Sequence, residues 1–183
     1  TGGYNAAFGN SSMNANTTGD NNIAIGNLSL TANTTGTRNI ALGSEALDAA
    51  DTENDNLAIG YAALGGPIAG GEYNVAIGNY SLEANTSGDY NVALGHAAGA
   101  SNTTGGNNTF VGLGAGRTST TGSSNTFIGM EAATDNTTGT NNTFVGHRAG
   151  YSNTTASSNT FLGTYAGNSN TTGSPNNAIG YKA

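Results

Sequence analysis

The chain has 183 residues, a net charge of −7, 30 Gly, two Pro, and neither Cys nor Trp. At 35% hydrophobic and 8% charged residues, it is too polar for a conventional core and too poor in charge and Pro for a disordered chain; a repeat architecture is what remains. Four scattered basic residues disfavour nucleic acid, zero Cys excludes disulfides and thiolate metal sites, and no apolar run reaches membrane-spanning length.

The opening "TGGYNAAFG" already belongs to a repeat. Its closing Gly recurs at 9, 26, 43, 60, 78, 95, 112, 129, 146, 163 and 180, with a spacing of 17 everywhere except one step of 18. With that Gly as position one, position fourteen is Asn in every unit, from Asn5 and Asn22 to Asn176, and position four is always Ala or Ser. This period, with β-branched residues beside the Gly, predicts an all-β solenoid over residues 1–183 of about eleven coils. Each coil is read as two short strands, "NxAIG" and the Ala-Leu or Ala-Gly stretch before "NTTG", joined by turns. Stacking at ~4.8 Å puts Asn above Asn and predicts an amide ladder. The chain starts and stops inside units, so it reads as a piece of a longer array.

In the first five units position five is large (Met13, Leu30, Leu47, Leu64, Leu82) and position sixteen is Ala (Ala24, Ala41, Ala58, Ala76, Ala93). The next four reverse this, with Gly99, Gly116, Ala133 and Gly150 against Phe110, Phe127, Phe144 and Phe161. Such a volume trade places the two positions together inside the coil. The last unit, Gly167 with Ala178, breaks the pattern.

If position sixteen points inward, fifteen and seventeen point out. Yet seventeen is always apolar after the first unit: Ile25, Leu42, Ile59, Ile77, Leu94, Val111, Ile128, Val145, Leu162 and Ile179. In the first half position fifteen is apolar too (Ile23, Ile40, Leu57, Val75, Val92). A strand apolar on both faces is buried on both. One coil supplies one cover, so another chain is expected on the other, with the position-seventeen row as the interface.

The third unit replaces "NTTG" with Glu45, Asp48, Asp51, Glu53 and Asp55, without an EF-hand or calcium-roll pattern, and reads as a solvated acidic turn. "YAALGGPIAGGEYN" holds the extra residue, a bulged turn. "GLGAG" has neither the strand–GxGxxG–helix context nor a Walker lysine, so it is not a nucleotide loop. His96 and His147 share position two but lie three units, ~14 Å, apart, too far for one metal within a chain. The many Asn-x-Ser/Thr triplets follow automatically from the repeat. No catalytic constellation, metal site or cofactor is indicated. Tyr61, Tyr73, Tyr80, Tyr90, His147, Arg148, Tyr151 and Tyr165 vary between units and suit a surface glycan or protein ligand.

"NNIAIGNLS", "NVAIGNYS" and "NVALGHAA" resemble the "NxVAIGxxS/A" repeats of trimeric autotransporter adhesin heads of the YadA-like type; related repeats occur in phage tail fibres. This chain's unit is longer than theirs and adds the "NTTG" turn. The resemblance implies a left-handed parallel β-roll, three chains around a common axis, and a location on the bacterial cell surface or in a virion fibre. The function expected is a structural and adhesive fibre segment, binding glycans or proteins multivalently, with no enzymatic activity, no nucleic-acid partner and no membrane contact. A monomeric ice-binding solenoid, drawing on the Thr of "NTT" and on Thr109, Thr126, Thr143 and Thr160, is the alternative, together with a pure fibre spacer.

Overall fold

The computed structural model describes residues 2–66 and 71–183. Eleven three-residue strands recur once per unit: β1 (Ala6–Phe8), β2 (Ile23–Ile25), β3 (Ile40–Leu42), β4 (Leu57–Ile59), β5 (Val75–Ile77), β6 (Val92–Leu94), β7 (Thr109–Val111), β8 (Thr126–Ile128), β9 (Thr143–Val145), β10 (Thr160–Leu162) and β11 (Asn177–Ile179). They form one parallel sheet in chain order, each hydrogen-bonded to the next. Equivalent residues lie side by side, Ala24 with Ala41 and Ala41 with Ala58, and the 18-residue step keeps Ala58 beside Ala76. The bulged turn expected there falls partly on residues 67–70, outside the described residues. The architecture is an all-β parallel solenoid; eleven strands bound about ten turns, so the expected eleven coils are corrected to ten.

Each coil has one strand, not the two expected. The Ala-Leu stretch is a turn because positions three and five take left-handed backbone, as in Leu28 (φ 59°) and Leu30 (φ 49°), which no strand accommodates. It is still bonded coil to coil: Leu30 N–H donates to Ala46 O at 2.9 Å and Ala32 N–H to Asp48 O at 3.0 Å. Position one admits only Gly. At Gly26 (φ +139°) a Cβ would lie 2.4 Å from Gly43 O, so conformation and stacking both forbid a side chain.

The interior is a column in which large and small groups complement one another. Leu30, Leu47, Leu64 and Leu82 are fully buried beside Ala24, Ala41, Ala58, Ala76 and Ala93, and the Phe side chains replace them after β6. Phe110, Phe127, Phe144 and Phe161 stack with centroids 5.7, 5.2 and 4.6 Å apart. The trade between positions five and sixteen is present, but it reaches across coils. Phe110 abuts both Gly99 and Gly116, and Gly150 abuts Phe144 of the coil before it. Gly167 in turn makes room for Phe161, so the last unit is not an exception.

The polar residues build four ladders. At position fourteen the amide oxygen of each Asn accepts the backbone N–H of the next Asn, at 2.8 Å for Asn5–Asn22 and 3.0 Å for Asn91–Asn108. The Nδ2 donates to the position-eleven carbonyl one coil on, as Asn91 does to Gly105 O at 2.9 Å. That ladder is mainly side chain to backbone, rather than the amide-to-amide ladder expected. The amide-to-amide ladder sits instead at position eight: Asn33 to Asn16 at 3.0 Å, Asn102 to Asn85 at 3.0 Å and Asn153 to Asn136 at 2.8 Å. At position nine Thr hydroxyls donate to the next Thr carbonyl, Thr86 to Thr103 and Thr103 to Thr120 at 3.0 Å. At position twelve a side-chain oxygen caps the N–H of the coil before: Thr37 N–H to Asn54 Oδ1, Glu72 N–H to Asp89 Oδ1 (both 2.9 Å) and Gly106 N–H to Ser123 Oγ (3.1 Å). Buried polar groups are tolerated where each finds a partner one coil away.

Candidate interaction surface

Position sixteen points into the solenoid and positions fifteen and seventeen out, as the pleat requires. The predicted interface row therefore lies on the outer face of the sheet. Ile25 (43%) and Leu94 (45%) are exposed, as are Ile128, Leu162 and Ile179, while Leu42, Ile59, Ile77, Val111 and Val145 are half-buried by their stacked neighbours. Thr109, Thr126, Thr143 and Thr160 share this face at position fifteen, the first two half-buried and the last two exposed.

The exposed apolar surface is confined to one arc of the coil. Among the described residues, every strongly exposed large apolar or aromatic side chain occupies position thirteen, fifteen, seventeen or two. Position thirteen borders the sheet before each strand (Tyr4, Tyr73, Tyr90) and position two borders it after (Tyr61, Leu113, Met130, Tyr181). The turn carrying "NTTG" has none among the described residues.

The eight predicted ligand residues fall into three groups rather than one site. Tyr61 meets Tyr80 edge-on at 5.3 Å, and Tyr80 meets His96 at 5.7 Å, along the edge after the strands. Tyr73 and Tyr90 stack in parallel at 5.0 Å on the opposite edge. His147 meets Tyr165 at 5.0 Å, and beside them Arg148 lies 5.1 Å over the Tyr151 ring while its Nε donates to Glu131 at 2.6 Å. Coil stacking produces the ring–ring contacts, each between residues of successive units, and His96 joins them although the sequence singles it out only as too far from His147 to share a metal.

The acidic turn is not the solvated cluster expected. Glu53 is only 4% exposed, and its carboxylate accepts the N–H groups of Asp51 (2.7 Å) and Thr52 (3.0 Å). Asp48 is half-buried, and burial, with Glu45 nearby, raises its carboxyl above the usual range. Asp55 is held below that range by the Arg38 guanidinium, which donates to it through Nε (2.5 Å) and Nη2 (2.7 Å). A hydrogen bond to Glu45 raises the Tyr61 hydroxyl. Among the described residues no group of three or more His, Asp or Glu could hold a metal ion, and no helix is long and apolar enough to cross a membrane.

No protein-family model, no curated protein and no solved structure matches this chain.

Proposed function

We propose that this chain is a structural and adhesive segment of a trimeric surface fibre on a bacterial cell or virion. Three left-handed rolls lie side by side about a common axis, each turning its sheet face inward. The segment performs no catalysis and needs no cofactor; its partners are two copies of itself and a glycan or protein ligand. One observation carries this reading: the strongly exposed large apolar and aromatic side chains are collected on the sheet face and its two borders, and nowhere else among the described residues. A contiguous apolar band on an otherwise Asn- and Thr-coated rod marks an association surface. Ten steps of ~4.8 Å make it ~48 Å long. The grouping of His147, Arg148, Tyr151 and Tyr165 supports a ligand contact, since Tyr151 stands off the band and Arg148 offers planar donors beside its ring. Threefold copies of a weak site on one rod supply avidity.

Light scattering tests the assembly. Three chains of 18.0 kDa give a mass of about 54 kDa, while Ile25→Asp, Ile59→Asp and Ile77→Asp combined give a folded monomer. A wild-type monomer, or a triple variant that stays trimeric, overturns the reading. Glycan and matrix-protein arrays then test adhesion; binding that survives Arg148→Ala with Tyr151→Ala moves the ligand elsewhere, and no binding to any array leaves a spacer.

A second reading rests on the Thr row of β7–β10, whose hydroxyls flank Val111, Ile128, Val145 and Leu162 in a translational array suited to ordering water. Of the "NTT" threonines, position nine does not add to it, since its hydroxyls bond to the neighbouring coil, while position ten (Thr104, Thr121, Thr138, Thr155) is exposed on the separate "NTTG" turn. Thermal hysteresis at millimolar protein decides this; its absence removes the ice-binding alternative.

A further inference from the structure

We infer that, in the trimer just proposed, the two borders of the sheet meet between neighbouring protomers, and that β3 to β6 form a matched seam in which aromatic residues face aromatic residues and cation faces anion. The fibre reading supplies the trimer; the pairing comes from the geometry of a single chain.

Association about a threefold axis is heterologous: each protomer offers two different patches, and the first patch of one meets the second patch of the next. With the sheet face turned to the axis, those patches are its two borders, position thirteen before each strand and positions two and three after it. Rotation about an axis parallel to the rod involves no translation, so each border residue meets the opposite border at the height of its own strand. Complementarity can therefore be read strand by strand within one chain.

At β5 the borders are Tyr73 and Tyr80, and at β6 they are Tyr90 and His96. Each border aromatic is already ordered within its own chain. Tyr73 and Tyr90 stack with an interplanar angle of 2°, and Tyr80 and His96 meet edge-on at 76°. Two preordered aromatic pairs at the same height, on the two borders that must meet, lose little side-chain freedom on contact.

Below them, at β3, the borders are Arg38 and Glu45. Arg38 uses Nε and Nη2 on Asp55 of its own chain, which leaves Nη1 with its two N–H donors for a carboxylate across the seam. At β4 the borders are Asp55, already held by Arg38 of its own chain, and Tyr61, whose O–H is already engaged by Glu45 of its own chain, so this level contributes ring contact rather than a new hydrogen bond. Above β6 the match stops: the first border becomes Asn107, Ser124, Asn141 and Ser158, polar and neither aromatic nor charged, opposite Leu113, Met130, His147 and, at β10, Thr164 and Tyr165. The seam thus lies within the coils in which position fifteen is apolar (β2 to β6) and ends, with them, where position fifteen becomes Thr.

The absence of native Cys makes the test direct. Tyr73→Cys with Tyr80→Cys places one thiol on each border at β5. Oxidation of the assembled trimer is expected to close a covalent ring, seen as a band of about 54 kDa on a non-reducing gel, from 18.0 kDa chains. Arg38→Cys with Glu45→Cys gives the same band at β3, and either pair suffices should the other disturb folding. The mismatched pair Glu45→Cys with Tyr90→Cys, three strands or ~14 Å out of register, gives none. Covalent trimer from a matched pair and not from the mismatched one supports the seam. A light-scattering trimer that cross-links from neither matched pair, or equally well from the mismatched one, overturns the seam and leaves the fibre reading standing. A monomeric wild type overturns both.

Discussion

Phe161 lies so close to Gly167 that a methyl group on that glycine would sit 2.5 Å from the Phe161 ring. The two residues belong to successive units, so the space the Phe161 ring needs is vacated by the unit that follows it. Gly150 stands in the same relation to Phe144, where the added methyl would sit 2.3 Å from the ring. The second half of the rod is an interlocked column, in which ring and gap alternate between coils.

This interlock makes Phe144 and Gly150 energetically coupled. Phe144→Ala alone should cost about 3–5 kcal/mol through the cavity it leaves. Gly150→Leu alone should overpack and cost about 1–3 kcal/mol or more. The double variant recreates the Leu-with-Ala filling of the first half, where Leu30 already tolerates left-handed backbone. It should lose at least about 1 kcal/mol less than the sum of the singles in urea unfolding; simple additivity would show that the two sites do not share one space.

The position-eight ladder has breaks, and unpartnered buried oxygens sit beside them. Asn33 Oδ1 faces the coil where position eight is Ala50, and Asn102 Oδ1 faces Ser119, whose own Oγ also lacks a partner among the described residues. Ser119→Asn restores a donor to Asn102 and an acceptor for Asn136. Stability should rise by about 1 kcal/mol in denaturant titration. An unchanged or lowered midpoint would mean that the site has no room for the amide.

The position-fourteen ladder predicts the opposite sign. Asn91 accepts from the Asn108 N–H at 3.0 Å and donates to Gly105 O at 2.9 Å, both buried. Asn91→Ala strands both groups and should cost about 2–4 kcal/mol, whereas Thr104→Ala, exposed on the turn beside Gly105, should cost less than about 0.5 kcal/mol. Equal effects of the two substitutions would argue against a role for the ladder.

Asp48 predicts a dependence on pH. Burial and Glu45 raise its folded-state pKa above the unfolded value, so the native state binds the proton more tightly. The stability this gives is present below the unfolded pKa and is lost as pH rises through the folded one. Asp48→Asn should therefore raise the melting temperature at pH 7, and the gain should vanish as pH falls below the ordinary carboxylate value of ~3.9. A gain that persists in acid would place its origin elsewhere.

Much of the coil is legible in the sequence because stacking demands the same answer every 17 residues. The glycine row at position one, the asparagine row at position fourteen and the apolar row at position seventeen are each written in one residue type or class. The exchange of Leu for Phe exposes the interior directly. Other features leave no such trace. Position twelve needs only an oxygen, so Asp20, Asn54, Asp89 and Ser123 serve alike and the ladder is hidden in its variety. Left-handed backbone at Leu30, Tyr80 and Arg148 is imposed by the stack rather than chosen by Gly or Asn, which is why spacing suggests a second strand where a turn lies. The contact Arg148–Tyr151 depends on side-chain direction at a corner, which spacing alone does not supply, whereas Tyr73–Tyr90, one period apart at position thirteen, follows from the repeat.

The polar ladders also give the rod a grain. At position fourteen the lower coil's side chain caps the upper coil's backbone, and at position twelve the upper caps the lower. Each coil is thus fastened from both sides, and only a terminal one can detach while breaking a single set. Under tension along the chain such an object gives way like a zip, one tooth at a time from an end. Each tooth releases 17 residues, roughly 50–55 Å of slack. A rod built this way yields in small steps, dissipating a pull that would otherwise be carried by whatever lies at its ends.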